Sequence, residues 1–340
     1  MTMKVALIGF YGHGNPGDDR ILYCIRRLLQ KHEIIPINGY AGMRTQRDLV
    51  NSCDYVFFGG GGLVERGTGV HTPLFEGLRP PFACLGISVE AVHDDNAALL
   101  RVLHEKSSFI LVRDQNSAKA FGPSNKVVVG PDLTFLYPYA PSGLKNCDSD
   151  VCGLNLLPWD FWPFQYKGTA DRFLRHFTKK FPTIEKLYPF PKWNPARAVE
   201  VVRQEFSTVM PLPFYREPGQ PSDGEVLCRF FSRVEDTFSP ETFSGCGAII
   251  AMRLHAAIFA CQMGIPFVSF DYQPKNRWFC RTIGHESYCV SLFRPAELKQ
   301  AITKLKVNHK TVRKHLISVR NQGEEQIHRL VKDLLGPLLN

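Results

Sequence analysis

Short, continuously apolar runs alternate with segments that favour helices along most of this 340-residue chain. Apolar runs without polar alternation are typical of strands buried on both faces, and such strands occur in parallel sheets covered by helices. Six of these runs precede residue 137: KVALIGF, EIIPIN, YVFFGGGG, FACLGIS, FILVRD and KVVVGPD. The pattern predicts an α/β fold with a doubly wound parallel sheet, whose ligands bind at the carboxyl ends of the strands.

The same pattern restarts after YPYAPSGLKNCDSD, a segment whose prolines, glycine and polar residues are typical of a linker. The later apolar runs are VCGLNLL, STVMPLPF, GAIIAM, PFVSF and YCVSL. Helices are predicted for residues 20–31, 96–104, 169–180, 196–206, 253–263 and 295–304. We therefore expect two Rossmann-like domains, residues 1–145 and 146–308, that face each other across a cleft. Residues 309–340 are predicted to form a C-terminal helical segment that packs back on the domains.

The formal net charge of +9 favours anionic partners, such as phosphorylated metabolites, nucleotide sugars, lipid phosphates or nucleic acid. Part of this charge lies in the segment KLKVNHKTVRKHLISVR, for which two interpretations stay open. In the first interpretation the segment contacts an anionic membrane surface peripherally, and in the second it is a helix face exposed to solvent. Because no aromatic residues are interleaved with its cations, nucleic acid is not an expected partner.

The sequence also bears on the compartment of the protein. No apolar stretch reaches the roughly 18 residues that a membrane span requires, and the N-terminus lacks the pattern of a signal peptide. The ten cysteines are scattered without C-x-x-C pairs or zinc-type spacing, which favours free thiols in a reducing cytoplasm and no metal site. We expect a cytoplasmic protein, with contact at the inner face of the membrane if the basic segment binds lipid. The oligomeric state is left open.

The stretch GFYGHGNPGDD carries glycines at 12, 14 and 17 in the spacing G-x-G-x-x-G. A dinucleotide-binding turn requires an acid at the end of the second strand, where this chain has Ile37 or Asn38 instead. The turn is better explained as an anion site at a helix N-terminus, with Asp18 beside it as a candidate general base. The alternative is that Asp18 only caps the helix.

Four segments in matching order, GNPGDD, FFGGGGL, ILVRDQNS and IIAMRLHAAIFACQMGIPFVSFDYQPKN, resemble the polysaccharide pyruvyl transferase family. The resemblance implies a GT-B-like fold with the active site between two Rossmann-like domains. It further implies transfer of the pyruvate moiety of phosphoenolpyruvate onto two hydroxyls of a sugar in a cell-surface polysaccharide, or exopolysaccharide, or its precursor. The products would be a pyruvate ketal and phosphate, with no cofactor. The acceptor sugar could be part of a glycan, nucleotide-linked or lipid-linked.

The residues at the strand ends suit this donor. Phosphoenolpyruvate carries a carboxylate and a phosphate, which guanidinium groups and backbone N–H groups bind well. Arg253, Arg113 and Lys275 each follow a predicted strand, and His255 holds the position that acts as the acid in the family resemblance. The alternatives are a buried core residue for His255, an ion pair with Asp114 for Arg113, and an exposed loop position for Lys275.

Small and polar residues of the two glycine-rich segments complete the predicted donor site. Asn15 and Gly17 belong to the first turn, and Gly60, Gly61 and Gly62 allow a ligand to approach the backbone closely. A tight turn is the alternative for the second segment.

The sequence is also compatible with two rival functions. A GT-B glycosyltransferase that uses a nucleotide sugar would need an acid late in the chain to hold the ribose, and Glu286 is the acid nearest to such a position. A non-catalytic binding protein would keep the fold without turnover, and the presence of Asp18, Arg253 and His255 argues against it.

Overall fold

The computed structural model describes residues 2–65, 67–90, 92, 94–139, 150–158, 193–217 and 222–339 of the chain. Its N-terminal sheet has the strand order β2-β1-β3-β4-β5-β6, and every neighbouring pair is parallel. The strands are β1 (Lys4–Gly9), β2 (Glu33–Asn38), β3 (Tyr55–Val64), β4 (Phe82–Val89), β5 (Ser107–Val112) and β6 (Val127–Val129). All six apolar runs that precede residue 137 therefore contain a strand, as predicted.

The second sheet, also parallel, has the order β11-β10-β9-β7-β8. Its strands are β7 (Val151–Asn155), β8 (Thr208–Pro211), β9 (Ala248–Ala251), β10 (Phe267–Phe270) and β11 (Cys289–Val290). The structure confirms an α/β fold with two doubly wound, Rossmann-like parallel sheets. The helices that follow β1 and β9 are in contact, which shows that the carboxyl ends of these two strands face each other.

The helices flank these sheets. They are α1 (Pro16–Leu28), α2 (Gly39–Thr45), α3 (Arg47–Asn51), α4 (Thr72–Glu76), α5 (Ala97–Lys106), α6 (Gln115–Phe121), α7 (Pro195–Glu205), α8 (Asp223–Leu227), α9 (Pro240–Ser244), α10 (Leu254–Met263), α11 (Pro274–Thr282), α12 (Pro295–Val307) and α13 (His309–Leu339). The helix predicted at 20–31 begins earlier, because Asn15 caps it and Pro16 suits its first position. The helix predicted at 169–180 lies outside the described residues, as does the predicted domain boundary at 145.

The C-terminal helix α13 contacts both sheets' domains. Ile317 packs against Gly264 at the end of α10, and Leu330 packs against Gly130 after β6. Farther along α13, His328 Nε2 lies 2.8 Å from the backbone carbonyl oxygen of Leu136. Within the described part of the chain, no helix is long and apolar enough to cross a bilayer.

His285, in the C-terminal domain, is buried, with 1% of its surface exposed. Its Nε2 lies 2.8 Å from the carbonyl oxygen of Phe267, and its ring stacks against Tyr288. Burial lowers the pKa of His285 to about 4, even though the hydrogen bond to Phe267 opposes that shift. The folded protein therefore keeps this imidazole neutral over a pH range in which the unfolded chain protonates it.

This difference predicts a loss of stability in mild acid. Because the folded pKa is depressed, the stabilisation from His285 is complete above the unfolded pKa of about 6.5 and falls as the pH drops toward 4. We expect the free energy of unfolding to fall by about 3 kcal/mol over this range from His285 alone. Urea unfolding at several pH values measures this, and His285→Gln should flatten the slope. An unchanged slope in the variant would refute the assignment.

Candidate active site

Strand β9 is followed directly by Arg253 and helix α10, and this junction puts His255 between the two domains. Arg253 is the N-cap of α10, with an extended backbone. The side chain of Asn155, at the end of β7, fixes the junction: its Oδ1 accepts a hydrogen bond from the backbone N–H of Arg253 at 2.8 Å. His255 lies in the first turn of α10 with 8% of its surface exposed.

The glycine turn of the N-terminal domain lies directly against this imidazole. A Cβ atom on Gly17 would lie 1.9 Å from Nδ1 of His255, so a side chain there would overlap the ring. The backbone N–H of Gly17 donates to Oδ1 of Asn15 at 3.1 Å, which makes Asn15 the N-cap of α1. The glycine spacing predicts that such an N–H binds an anion; in the structure it is bonded within the turn, and Gly17 makes room for the imidazole.

Asp18 is buried beside the ring, with 7% of its surface exposed. Its Oδ2 accepts a hydrogen bond from Nδ2 of Asn15 at 2.5 Å. Burial raises the pKa of Asp18, and its electrostatic interactions with His255, Arg113 and Lys275 only partly offset this effect. A raised pKa makes the carboxylate a better proton acceptor. The alternative that Asp18 only caps the helix is wrong, because Asn15 occupies the cap position.

Asp18 and His255 line a cavity of about 150 Å³ between the two sheets. Six other residues predicted for the donor site also line it: Asn15, Gly61, Gly62, Arg113, Arg253 and Lys275. Gly60 does not line it. This glycine packs against α1 instead, where a Cβ on Gly60 would lie 2.4 Å from the Ile21 side chain. The glycine segment is not a tight turn either, because strand β3 continues through it.

Each of the three cations in the cavity is paired with a carboxylate. The pairs are Arg113 with Asp132 (3.0 Å), Arg253 with Asp223 (2.6 Å) and Lys275 with Glu90 (2.8 Å). Burial lowers the pKa of Lys275, but the Glu90 carboxylate more than offsets this, so that the pKa is raised. The cations therefore keep their charge in a buried site.

Two alternatives from the sequence are wrong in the light of these pairs. Arg113 does not pair with Asp114, whose side chain instead caps α6 by accepting a hydrogen bond from the N–H of Ser117 at 2.7 Å. Lys275 is not an exposed loop residue, since only 20% of its side chain is exposed and its partner Glu90 belongs to the opposite domain.

Asp132 also faces the imidazole. Its Oδ2 lies 3.8 Å from Nε2 of His255. Burial alone would raise the pKa of Asp132, but the interactions with His255, with Arg113 and with the backbone of Thr134 outweigh burial and hold the pKa well below its usual range. His255 thus lies among Asp18, Asp132 and the cavity cations, an arrangement able to transfer protons to and from a bound anion.

The sequence and the fold of the chain are similar to those of known proteins. Residues 15–274 match the family described as polysaccharide pyruvyl transferase. The chain belongs to the polysaccharide pyruvyl transferase family. This membership makes it a transferase that acts on polysaccharide. No curated protein matches the chain.

Solved structures similar to this transferase share its fold at low sequence identity. Anabaena Alr3699/HepE in complex with UDP and glucose is 12% identical, with a TM-score of 0.54 over 97% of this chain and 100% of that chain. A Listeria monocytogenes structure assigned as a UDP-N-acetylglucosamine 2-epimerase is 10% identical, with a TM-score of 0.54 over 99% of this chain and 98% of that chain. These similarities confirm the predicted GT-B-like fold.

Four carboxylates of the transferase site were given no role from the sequence: Glu90, Asp132, Asp223 and Glu217. Asp132 ends the run KVVVGPD, so its position after a strand was a usable signal. Asp223 and Glu217 lie outside the predicted strands and carry no such signal, whereas Glu90 directly follows β4 and carries it. Among the described residues, no group of three or more His, Cys, Asp or Glu side chains is arranged to hold a metal ion.

Glu217 forms a second contact across the cleft of the transferase. Its Oε1 lies 2.6 Å from Nδ1 of His13, in the glycine turn, and its other oxygen accepts a hydrogen bond from the Tyr215 hydroxyl. The ring of Tyr215 in turn lies 4.8 Å from the guanidinium carbon of Arg253. These contacts link the glycine turn of one domain to the arginine of the other.

Proposed function

We propose that this transferase moves the pyruvate moiety of phosphoenolpyruvate onto two hydroxyls of a sugar, forming a ketal and releasing phosphate. The observation that carries the proposal is the buried imidazole of His255, which shares a small cavity with Asp18 and with three cations. A proton donor, a proton acceptor and anion-binding groups are the set that this reaction requires.

His255 is the proposed acid. It donates a proton to the methylene carbon of the enol ester, which leaves a cation at the central carbon. The oxygen of one sugar hydroxyl bonds to that carbon, and Asp18 accepts the hydroxyl proton. A second hydroxyl then displaces phosphate, which leaves with the electrons of its C–O bond and takes up the proton of that hydroxyl. Return of the proton from Asp18 to His255 restores both groups. Because the donor carries its own leaving group, the scheme requires no cofactor and no metal.

Arg113, Arg253 and Lys275 are the proposed ligands of the donor's phosphate and carboxylate. Their carboxylate partners hold the side chains in fixed positions, which lowers the cost of ordering them when the donor binds. Nε and Nη2 of Arg253 donate hydrogen bonds to Asp223. The side chains of Arg253 and Arg113 are 21% and 6% exposed, so neither lies in bulk solvent. Asn15, Gly61 and Gly62 line the cavity and remain proposed neighbours of the substrates, whereas Gly17 packs against the imidazole and Gly60 against α1.

The competing proposal is a nucleotide-sugar glycosyltransferase. The solved structures in complex with UDP share the fold, and at 12 to 13% identity they carry no more than that. Glu286, the acid that could have held a ribose, is half exposed and paired with Arg281 at 2.8 Å, outside the cavity. The observations on His255 and Asp18 therefore favour phosphoenolpyruvate as the donor.

Separate incubations distinguish these two donors. The purified protein is given a panel of glycans, nucleotide sugars and lipid-linked sugars, with phosphoenolpyruvate in one series and UDP-sugars in the other. The proposal expects phosphate release only with phosphoenolpyruvate, together with an added carboxyethylidene group on the product in mass spectrometry. Release of UDP without phosphate would overturn it.

For a lipid-linked acceptor, we propose that the protein is cytoplasmic and contacts the membrane through the basic surface formed by α12 and the start of α13. Lys304, Lys310 and Lys314 are exposed on this surface, and no acid occurs between Glu297 and Glu324. Each lysine near an anionic leaflet contributes about 1 kcal/mol. Replacing the three with glutamine should reduce binding to phosphatidylserine vesicles about a hundredfold in a sedimentation assay.

A matched variant separates this surface from net charge. Lys31, Lys119 and Lys332 are also exposed, but lie outside the basic surface. Replacing these three with glutamine lowers the net charge by the same amount and should leave vesicle binding within about threefold. Equal losses in both variants, or no binding by the unaltered protein, would contradict the proposal.

A further inference from the structure

We infer that Asp132 is a positioning residue that orients the imidazole of His255 and stabilises its protonated form across the closed cleft. The inference rests on the proposed function for the role of His255 as the acid. Its basis is a carboxylate from one domain that faces a buried ring nitrogen from the other, at 3.8 Å.

The carboxylate of Asp132 is itself held in place. Its Oδ1 accepts hydrogen bonds from the backbone N–H of Thr134 at 3.0 Å and from the Thr134 hydroxyl at 2.8 Å. Its Oδ2 accepts a hydrogen bond from Nη1 of Arg113 at 3.0 Å. With three hydrogen bonds and 5% of its surface exposed, Asp132 is a fixed negative charge rather than a mobile side chain.

The ring nitrogen that faces this carboxylate is buried and lacks a hydrogen-bond partner within the described part of the chain. A buried polar nitrogen without a partner carries a free-energy cost, which a bond to Asp132 would remove. Catalytic hydrogen bonds are often long in the absence of substrate and shorten when it binds. A small closure of the cleft on the donor would therefore bring Nε2 of His255 and Oδ2 of Asp132 within bonding distance.

A second set of polar contacts joins helix α10 to the segment that follows β6. Gln262 lies seven residues after His255, about two turns along α10, so both project from one face. Its Nε2 donates to the Thr134 hydroxyl at 2.7 Å, and its Oε1 accepts from the N–H of Tyr139 at 3.2 Å. Helix α10 thus contacts the segment after β6 at two points. Because α10 and that segment belong to different domains, the pairing of His255 with Asp132 depends on the cleft being closed.

Other charged groups near the imidazole do not supply the same orientation. Asp18 approaches from α1, Arg253 precedes α10, and Arg113 and Lys275 follow β5 and β10. Only the carboxylate of Asp132 is within ion-pair distance of Nε2 among the described residues. A fixed carboxylate at this distance attracts a positively charged ring.

The test is Asp132→Asn, which keeps the shape and removes the charge. A reaction that needs a protonated acid slows as pH rises, and loss of the carboxylate should move this alkaline limb about one pH unit lower. We expect kcat at pH 7.5 to fall ten- to a hundredfold. The KM for phosphoenolpyruvate should rise as well, since Asp132 also holds Arg113, so the alkaline limb is the decisive readout. Asp132→Glu, which restores the charge, should return the limb to its original position.

Asp223→Asn is the matched control, since it removes the negative charge of Asp223, the buried partner of Arg253. It should leave the alkaline limb in place while raising the KM for phosphoenolpyruvate through Arg253. NMR titration of the His255 ring, assigned with His255→Gln, gives a readout that does not need turnover. An unchanged limb and an unchanged titration midpoint in Asp132→Asn would overturn the inference. Absence of phosphate release by the unaltered enzyme would instead refute the proposed function.

Discussion

Replacing His255 with glutamine is expected to reduce ketal formation about a thousandfold, while the affinity for phosphoenolpyruvate stays within about tenfold. Glutamine fills much of the same space and keeps a polar end, but it cannot deliver a proton at neutral pH. The donor's anionic groups are bound by other residues in the proposed scheme, so binding and turnover should separate. Steady-state phosphate release gives the turnover, and isothermal titration with phosphoenolpyruvate gives the affinity.

A control must show that the loss is specific to this imidazole. His328 is exposed on α13 and lies outside the cavity, and its Nε2 lies 2.8 Å from the carbonyl oxygen of Leu136. His328→Gln should retain activity within about threefold. Unchanged turnover in His255→Gln would refute the assignment of His255 as the acid.

Most of the fold was predictable because buried parallel strands are continuous apolar runs. Every strand of the two sheets overlaps a run identified in the sequence, although β3 and β4 continue past the ends of their runs and β5 begins two residues before its run. Helix α10 begins one residue after the predicted boundary, because Arg253 is its cap. Short helices such as α3, α4 and α8, with five residues each, were not predicted. They are too short for a 3.6-residue period to appear, and they are stabilised by tertiary contacts rather than by local propensity.

The cavity cations could be identified because parallel strands deliver the residues that follow them to one edge of a sheet. Arg113, Arg253 and Lys275 all occupy such positions. Their partners could not be identified in the same way, because a pair such as Arg253 with Asp223 joins residues 30 positions apart through the folding of a loop. Lys275 with Glu90 joins residues 185 positions apart in opposite domains. Such pairs are set by tertiary geometry, which periodicity does not encode.

Gly17 lies beside the cavity for a reason other than the one that the glycine spacing predicts. The spacing of glycines predicts an anion-binding turn, in which Gly17 exposes its N–H to a ligand. That N–H is bonded to Asn15, and the missing side chain matters instead, because the imidazole of His255 occupies its place. The contact is made between the two domains. The sequence contained the glycine and the histidine, but not their proximity.

Gly17→Ala is therefore expected to lower kcat at least a hundredfold. The backbone of Gly17 is helical, so alanine is well tolerated locally and improves the helix propensity of α1. Its Cβ would lie 1.9 Å from Nδ1 of His255 and 2.0 Å from Cγ, so the ring or the whole domain must move by more than an ångström. A misplacement of about 1 Å at a reacting group can cost a hundredfold in rate. Phosphate release measured with saturating phosphoenolpyruvate gives the effect.

The size of this effect distinguishes an interdomain contact from a defect in folding. Gly336→Ala is the matched control, since Gly336 is also helical and an added Cβ there meets no atom within 4 Å. Both variants should unfold within a few degrees of the unaltered protein, and only Gly17→Ala should lose activity. If Gly17→Ala kept full turnover, the closed arrangement of α1 on α10 would not be the one in which the reaction occurs, and the pairing of His255 with Asp132 would lose its geometric basis as well.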